Sequence, residues 1–180
     1  MKISQVLNPI YVGEFHLDKK HDRNHINISY NSELDNILLT SLKGRVYLFS
    51  SDGVIKKIGG SASKGGIKST ISFYTNSMTG SPGKPRFILH LLIRDELIKG
   101  KICKVHMITS PNVSSLVNGL TEQKEISIAA FKEMEDLCKK NYFDIMKRYP
   151  DWNFQENNID YPSNYSLEHV RYHEQRLKNK

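Results

Sequence analysis

The chain has 180 residues, with 38% hydrophobic and 25% charged side chains, which suits one globular domain or one small domain with appended arms. Twenty-six Lys and Arg against 19 Asp and Glu leave a net charge of +7, which favours a polyanionic partner, nucleic acid first. No apolar run reaches membrane-spanning length, no signal-peptide pattern is expected, and Cys103 and Cys138 fit no CxxC or Cys/His zinc spacing, so reduced core thiols in a cytoplasmic protein are expected.

Residues 1–43 read as an N-terminal arm. Within it, His16–Asn27 is polar and basic and reads as a solvated loop. His21 and His25 lie at an i, i+4 spacing that could pair on a metal, but nothing nearby completes a ligand set. The stretch Gly44–Gly60, GRVYLFSSDGVIKKIGG, reads as a β-hairpin. Its first arm is β-branched and aromatic, Ser51-Asp52-Gly53 supplies the turn, and the second arm ends in Gly59-Gly60. Tyr47 and Lys57 then fall on adjacent strands. Ser61–Gly66 is a flexible connection, Ile67–Asn76 is compatible with a helix, and Ser77–Lys84 is a polar loop. Pro85 suits a helix start, apolar residues recur at helical spacing from Phe87 to Ile98, and Gly100 can end that helix. Lys101–Ile108 alternates like a half-buried strand, and Thr109–Leu120 reads as a loop. Ile126–Arg148 reads as a long helix. Asn157–Asn164 is linker-like, and Ser166–Lys180 could form a basic helix with Arg171, Arg176, Lys178 and Lys180.

Gly44-Arg45-Val46-Tyr47 followed by Lys57-Ile58-Gly59 resembles the two half-motifs of the GIY-YIG nuclease superfamily. Lys57, where the name-giving motif has its second Tyr, resembles the restriction-endonuclease branch. The resemblance spans residues 44–153, where the expected order is strand, strand, helix, helix, strand, helix. It implies an α/β (α+β) fold with a small central three-stranded antiparallel sheet flanked by helices. Residues 1–43 would be the N-terminal arm, 44–153 the nuclease core and 154–180 a C-terminal basic tail.

The resemblance assigns roles residue by residue. Tyr47 would activate or orient the attacking water, with the Lys57 cation lowering its phenol pKa. Read without the family, the two are an ordinary cross-strand Tyr–Lys pair. Lys68 stands where relatives place a phosphate-binding Arg. Lysine supplies charge without the planar fork, so Lys64 and Arg86 are substitutes to weigh. Some relatives carry a His where this chain has Gly60, for which His90 or His106 could compensate. The Mg²⁺ ligand would be an acid on the last helix: Glu135, seven positions before Tyr142, is chosen, with Glu133 second and Glu125 third. A solvated acidic stripe is the alternative meaning of those residues. Trp152 reads as a packing residue.

These residues together are expected to make a Mg²⁺-dependent endonuclease that cuts double-stranded DNA, a type II restriction enzyme. It would act as a homodimer on a palindromic target and be paired with a cognate DNA methyltransferase. Two other readings stay open. One is a phage or mobile-element GIY-YIG nuclease acting on DNA structure. The other is a DNA-binding module without catalysis.

Overall fold

The computed structural model describes residues 1–18 and 25–178. His21, one half of the histidine pair weighed above, lies outside them, as does Lys180.

The centre is a five-stranded sheet in the order β2-β1-β5-β3-β4. It is built from β1 (Ile10–Leu17), β2 (Ile26–Tyr30), β3 (Arg45–Ser51), β4 (Val54–Ser61) and β5 (Cys103–Thr109), and every pairing is antiparallel. The expected three strands are β3, β4 and β5. The sheet has two more because the N-terminal residues pair on: β1 adds to β5, and β2 folds back on β1. The register with β5 shifts between Tyr11 and Gly13, which lets Val12 and Phe15, three apart, both be buried, as is Ile26.

The β3–β4 hairpin closes through a two-residue turn in which Asp52 and Gly53 both have positive φ, 48° and 76°. That backbone matches the right-handed twist of the flanking strands. A bulge follows: Phe49 pairs with Lys57, but Ser50 pairs with Ile55, leaving Lys56 extra. The extra residue changes the side-chain parity of β4. Ile55 and Ile58, three apart, therefore share one face, with Val46 and Leu48. Tyr47, Phe49, Lys57 and Gly59 share the other face.

Two helices, α2 (Gly66–Thr75) and α3 (Lys84–Ile98), cover the Tyr47 face and bury Ile67, Ile71, Leu89 and Ile93 against it. They follow a single turn of helix, α1 (Asn36–Leu39), which contributes Leu39. The opposite face is covered by α4 (Phe131–Met146) and by the N-terminal Met1, Ile3 and Val6, packed around Tyr142. A final helix, α5 (Ser163–Lys178), packs on α3. Tyr165 Oη donates to Asp95 Oδ2 at 2.6 Å, and Arg94 pairs with Glu168 at 3.3 Å.

Between β5 and α4 the chain forms a separate hairpin, β6 (Val113–Asn118) and β7 (Gln123–Ile128), with every residue exposed. The sequence reading had a loop to Leu120 and a helix from Ile126. Ile126 and Ile128 instead face Ser115 and Val113 across the hairpin, so α4 starts at Phe131. The short apolar run there fits either period, and cross-strand pairing decides. Cys103 is buried and Cys138 half-buried, both as free thiols. Among the described residues no helix is long and apolar enough to cross a membrane.

One side chain closes the free edge of β4. Asn153, fully buried, accepts from Ile58 N at 2.9 Å and donates to Ile58 O at 3.1 Å. Trp152 N donates to Lys56 O at 2.8 Å. Asn153→Ala should leave both Ile58 groups unpaired at about 1–3 kcal/mol each. Urea unfolding should show a loss of about 2–4 kcal/mol.

Candidate active site

A cleft of about 450 Å³ opens where β4, α2, the start of α3 and the segment after Trp152 meet. Its wall includes Tyr47, Lys57, Tyr74, Arg86, Glu156 and Tyr161. The β3–β4 hairpin supplies Tyr47 and Lys57, α2 supplies Tyr74, and the first turn of α3 supplies Arg86. Asn153, by pinning the chain to β4, delivers Glu156 three residues later.

Tyr47 does not face Lys57 directly. Its cross-strand partner is Gly59, and Lys57 pairs with Phe49, so the two lie on a diagonal of the same face. Gly59 is necessary there: a Cβ on it would overlap Tyr47 Cζ and Oη. The phenol runs over the glycine to Tyr74, with the two hydroxyl oxygens 2.5 Å apart. Burial, reinforced by Tyr74 and by the charges of Glu135 and Glu156, pushes the Tyr47 phenol well above its ordinary pKa. This corrects the expectation of a lowered one. Lys57 is itself desolvated, which lowers its pKa, with Glu156 pulling back the other way. The hydroxyl is therefore a protonated phenol at neutral pH.

Glu135 reaches the same strand from the opposite face. A Cβ on Gly60 would lie 2.6 Å from Glu135 Oε2, so the missing side chain makes the cradle in which the carboxylate sits. Its other oxygen meets Lys139 Nζ at 2.5 Å, and Lys139 also pairs with Glu156. Burial opposes the charge on Glu156, but the bond to Lys139, a backbone hydrogen bond and the charges of Lys57 and Lys139 together outweigh it and lower its pKa. Two half-buried carboxylates thus converge on one cation beside the cleft. Glu133 is exposed on α4, and Glu125 lies on the exposed β7.

Lys68 is not in this group. It is exposed on the first turn of α2, donates to Asn36 Oδ1 at 3.1 Å and sits 5.7 Å from the Tyr30 ring centroid. Lys64 is exposed on the preceding loop. Arg86 does line the cleft, with its guanidinium 5.4 Å from the Phe73 ring centroid. Trp152 packs in the core and contributes to the cleft wall. Sequence reasoning missed Tyr74 and Glu156. Neither sits in a motif, and only the helix docking and the Asn153 pin bring them in.

The two histidines weighed as substitutes are elsewhere. His106 stacks on Tyr11 at 5.4 Å. His90 is fully buried, its Nδ1–H donates to Tyr74 O at 2.7 Å, and its Nε2 has no partner among the described residues. Neither lines the cleft.

Among the described residues no three His, Cys, Asp or Glu side chains cluster as a ready metal site. The donor set nevertheless suits Mg²⁺. That ion takes oxygen ligands, one or two carboxylates with water and substrate phosphate completing the shell. Glu135, in its glycine cradle, and Glu156 are such donors.

No protein-family model matches the chain, and no curated protein matches it. Solved structures do. A mutant of the bacteriophage T4 endonuclease EndoII superposes with a TM-score of 0.53 at 17% identity, over 81% of this chain and 91% of that one. The restriction endonuclease HPY188I in complex with product DNA gives 0.43 at 17% identity, over 79% and 78%. The fold is thus one shared with a phage endonuclease.

Two outcomes follow from these contacts. Gly59→Ala should displace the Tyr47 ring and cost about 1–3 kcal/mol of unfolding free energy, as overpacking does. An unchanged denaturation midpoint would mean the ring yields freely. Burial lowers the His90 pKa from 6.5 to about 4. The unfolded chain then binds more protons between those values, so this contribution is complete above pH 6.5 and is lost as pH falls toward 4. Complete loss is worth about 3 kcal/mol. His90→Asn, which keeps a donor for Tyr74 O but does not titrate, should flatten the stability profile across that window.

Proposed function

We propose that this chain is a metal-dependent endonuclease of the GIY-YIG type that hydrolyses phosphodiesters of double-stranded DNA, and that it acts as a restriction enzyme. The observation that carries the reading is the convergence on β4: Tyr47, Lys57, Tyr74, Arg86 and Glu156 share one cleft, with Glu135 against the same strand. The half-motifs on β3 and β4, the net charge of +7 and the fold in common with a phage endonuclease support it.

Hydrolysis requires water to attack phosphorus as the bond to the leaving oxygen breaks. The water gives up a proton and the leaving oxygen gains one. Tyr47 and Tyr74 share one hydrogen bond, so one hydroxyl hydrogen and free lone pairs remain to orient the water. Lys57, with its lowered pKa, is placed to move a proton within the cleft. The Arg86 guanidinium offers the planar fork that lysine lacks and is assigned to the phosphate. Glu135, with Glu156, would hold Mg²⁺, which when bound supplies charge stabilisation at the phosphate oxygens. Lys139 neutralises the two carboxylates in the free protein. A palindromic target would call for a symmetric homodimer, and a restriction role for a partner methyltransferase.

The likeness in fold to a phage endonuclease favours a second reading, a phage-type nuclease recognising DNA structure. Long duplex DNA and a branched DNA junction, each incubated with the protein and Mg²⁺, separate the two: discrete duplex fragments mean restriction, and cutting of the junction with duplex left intact or smeared means a structure-directed nuclease. Both substrates left intact would reject both readings. In single-turnover assays Tyr47→Phe should slow cleavage about 10²–10⁴-fold. Arg86→Ala should slow it about 10²–10³-fold through lost transition-state stabilisation. Glu135→Gln should remove Mg²⁺-dependent cutting while DNA binding persists. Lys68→Ala should cut nearly normally, and a loss there as large as that of Arg86→Ala would return the phosphate role to Lys68.

A further inference from the structure

On the far side of α2 and α3 from β4, α5 carries two histidines one turn apart, His169 and His173. Their Nε2 atoms are 3.0 Å apart, and both lie against the carbonyl oxygen of Pro82, at 3.1 and 3.2 Å. The three atoms form a nearly equilateral triangle. The rings are held in place: His169 packs edge-on to Phe87, with centroids 5.2 Å apart, and His173 packs on Tyr172 at 5.5 Å. The carbonyl oxygen carries two lone pairs, and each imidazole in its Nδ1-protonated tautomer presents an Nε2 lone pair, so three donor atoms are available within 3.0–3.2 Å of one another.

We propose that His169 Nε2, His173 Nε2 and the Pro82 carbonyl form a binding site for a divalent transition-metal ion of the zinc class, which clamps α5 onto the loop between α2 and α3. An ion with bonds of about 2.0–2.1 Å touches all three atoms from about 1 Å above their plane, with angles near about 100°. Those angles lie between the tetrahedral and octahedral values, and water completes the shell. Two imidazoles select zinc, nickel, copper or cobalt over magnesium, which prefers oxygen. The site is thus chemically distinct from the Glu135 and Glu156 carboxylates.

The clamp has a structural consequence. The same loop is already tied to α5 by Tyr172 Oη, which donates to Met78 O at 2.8 Å, and by Arg176, which donates to Gly80 O and Ser81 Oγ. The loop leads into Pro85 and Arg86, which line the cleft. A metal on Pro82 O adds a coordinate bond four residues before Arg86.

The test uses the full-length protein stripped with chelator and then titrated with Zn²⁺ in a calorimeter, with excess Mg²⁺ present to occupy carboxylate sites. One Zn²⁺ per chain is expected. His169→Gln and His173→Gln should each weaken it by more than about tenfold, since losing even a residue that only orients a ligand costs that much. Unchanged circular dichroism of the metal-free variants shows that they fold. Zn²⁺ should also raise the melting temperature of the parent but not of the variants, and slow amide exchange in residues 77–83. Equal Zn²⁺ binding by parent and variants, or none by the parent, would overturn the site. Zn²⁺ bound through the histidines without slower exchange in 77–83 would overturn the clamp.

Discussion

The arrangement of the site depends on how closely other groups approach β4. Its last two residues in the motif have no Cβ, and each absence is used from a different side. Over Gly59 lies the Tyr47 ring, and against Gly60 lies the Glu135 carboxylate. A strand with side chains at both positions would push the tyrosine off one face and α4 off the other. The two groups would then be separated by a full side-chain layer. Sheets stack about 10 Å from what covers them, and the glycine pair is what brings groups from opposite faces to one strand.

β4 is also an edge strand, and its free edge is part of the design. An unpaired edge offers backbone donors and acceptors to any passing chain. Here Asn153 occupies Ile58 as a neighbouring strand would, and Trp152 occupies Lys56 O. This short clip replaces a sixth strand and leaves room for the cleft beyond it. It also brings Glu156 to within reach of Lys139, so that α4 and the segment after it are joined by an ion-paired bridge. The bridge is half-buried, where screening by salt is weak and loss of one partner is costly.

The electrostatics of the cleft run against the simplest account of a tyrosine base. Burial and two carboxylates hold the Tyr47 phenol protonated, and Lys57 loses part of its preference for charge to the same desolvation. The free protein therefore keeps the Tyr47 phenol neutral, while burial only weakens the preference of Lys57 for its charged form. Lys139 bridges Glu156, in the cleft, to Glu135, which reaches β4 from its other face.

Much of this was legible in the chain itself. The β3–β4 hairpin, its Asp52-Gly53 turn and the helices α2 and α3 follow from local patterns of period 2 and 3.6, while the family resemblance, counting back from Tyr142, singles out Glu135 over Glu133. Local pattern cannot tell which strands pair, because pairing energy comes from residues far apart in sequence. The N-terminal residues therefore read as an arm, and the β6–β7 hairpin as loop and helix. Nor can it tell which cation ends beside the cleft. Lys68 stands at the motif spacing yet faces Asn36 and Tyr30, while Arg86 enters because α3 docks with its first turn against Phe73. Tyr74, Asn153 and Glu156 belong to no motif; a helix orientation and one buried amide decide their place. Sequence determined the strand that borders the candidate cleft, since its residue types are needed for local backbone geometry. Tertiary packing decided the company that strand keeps, since close approach depends on surfaces that meet only after folding.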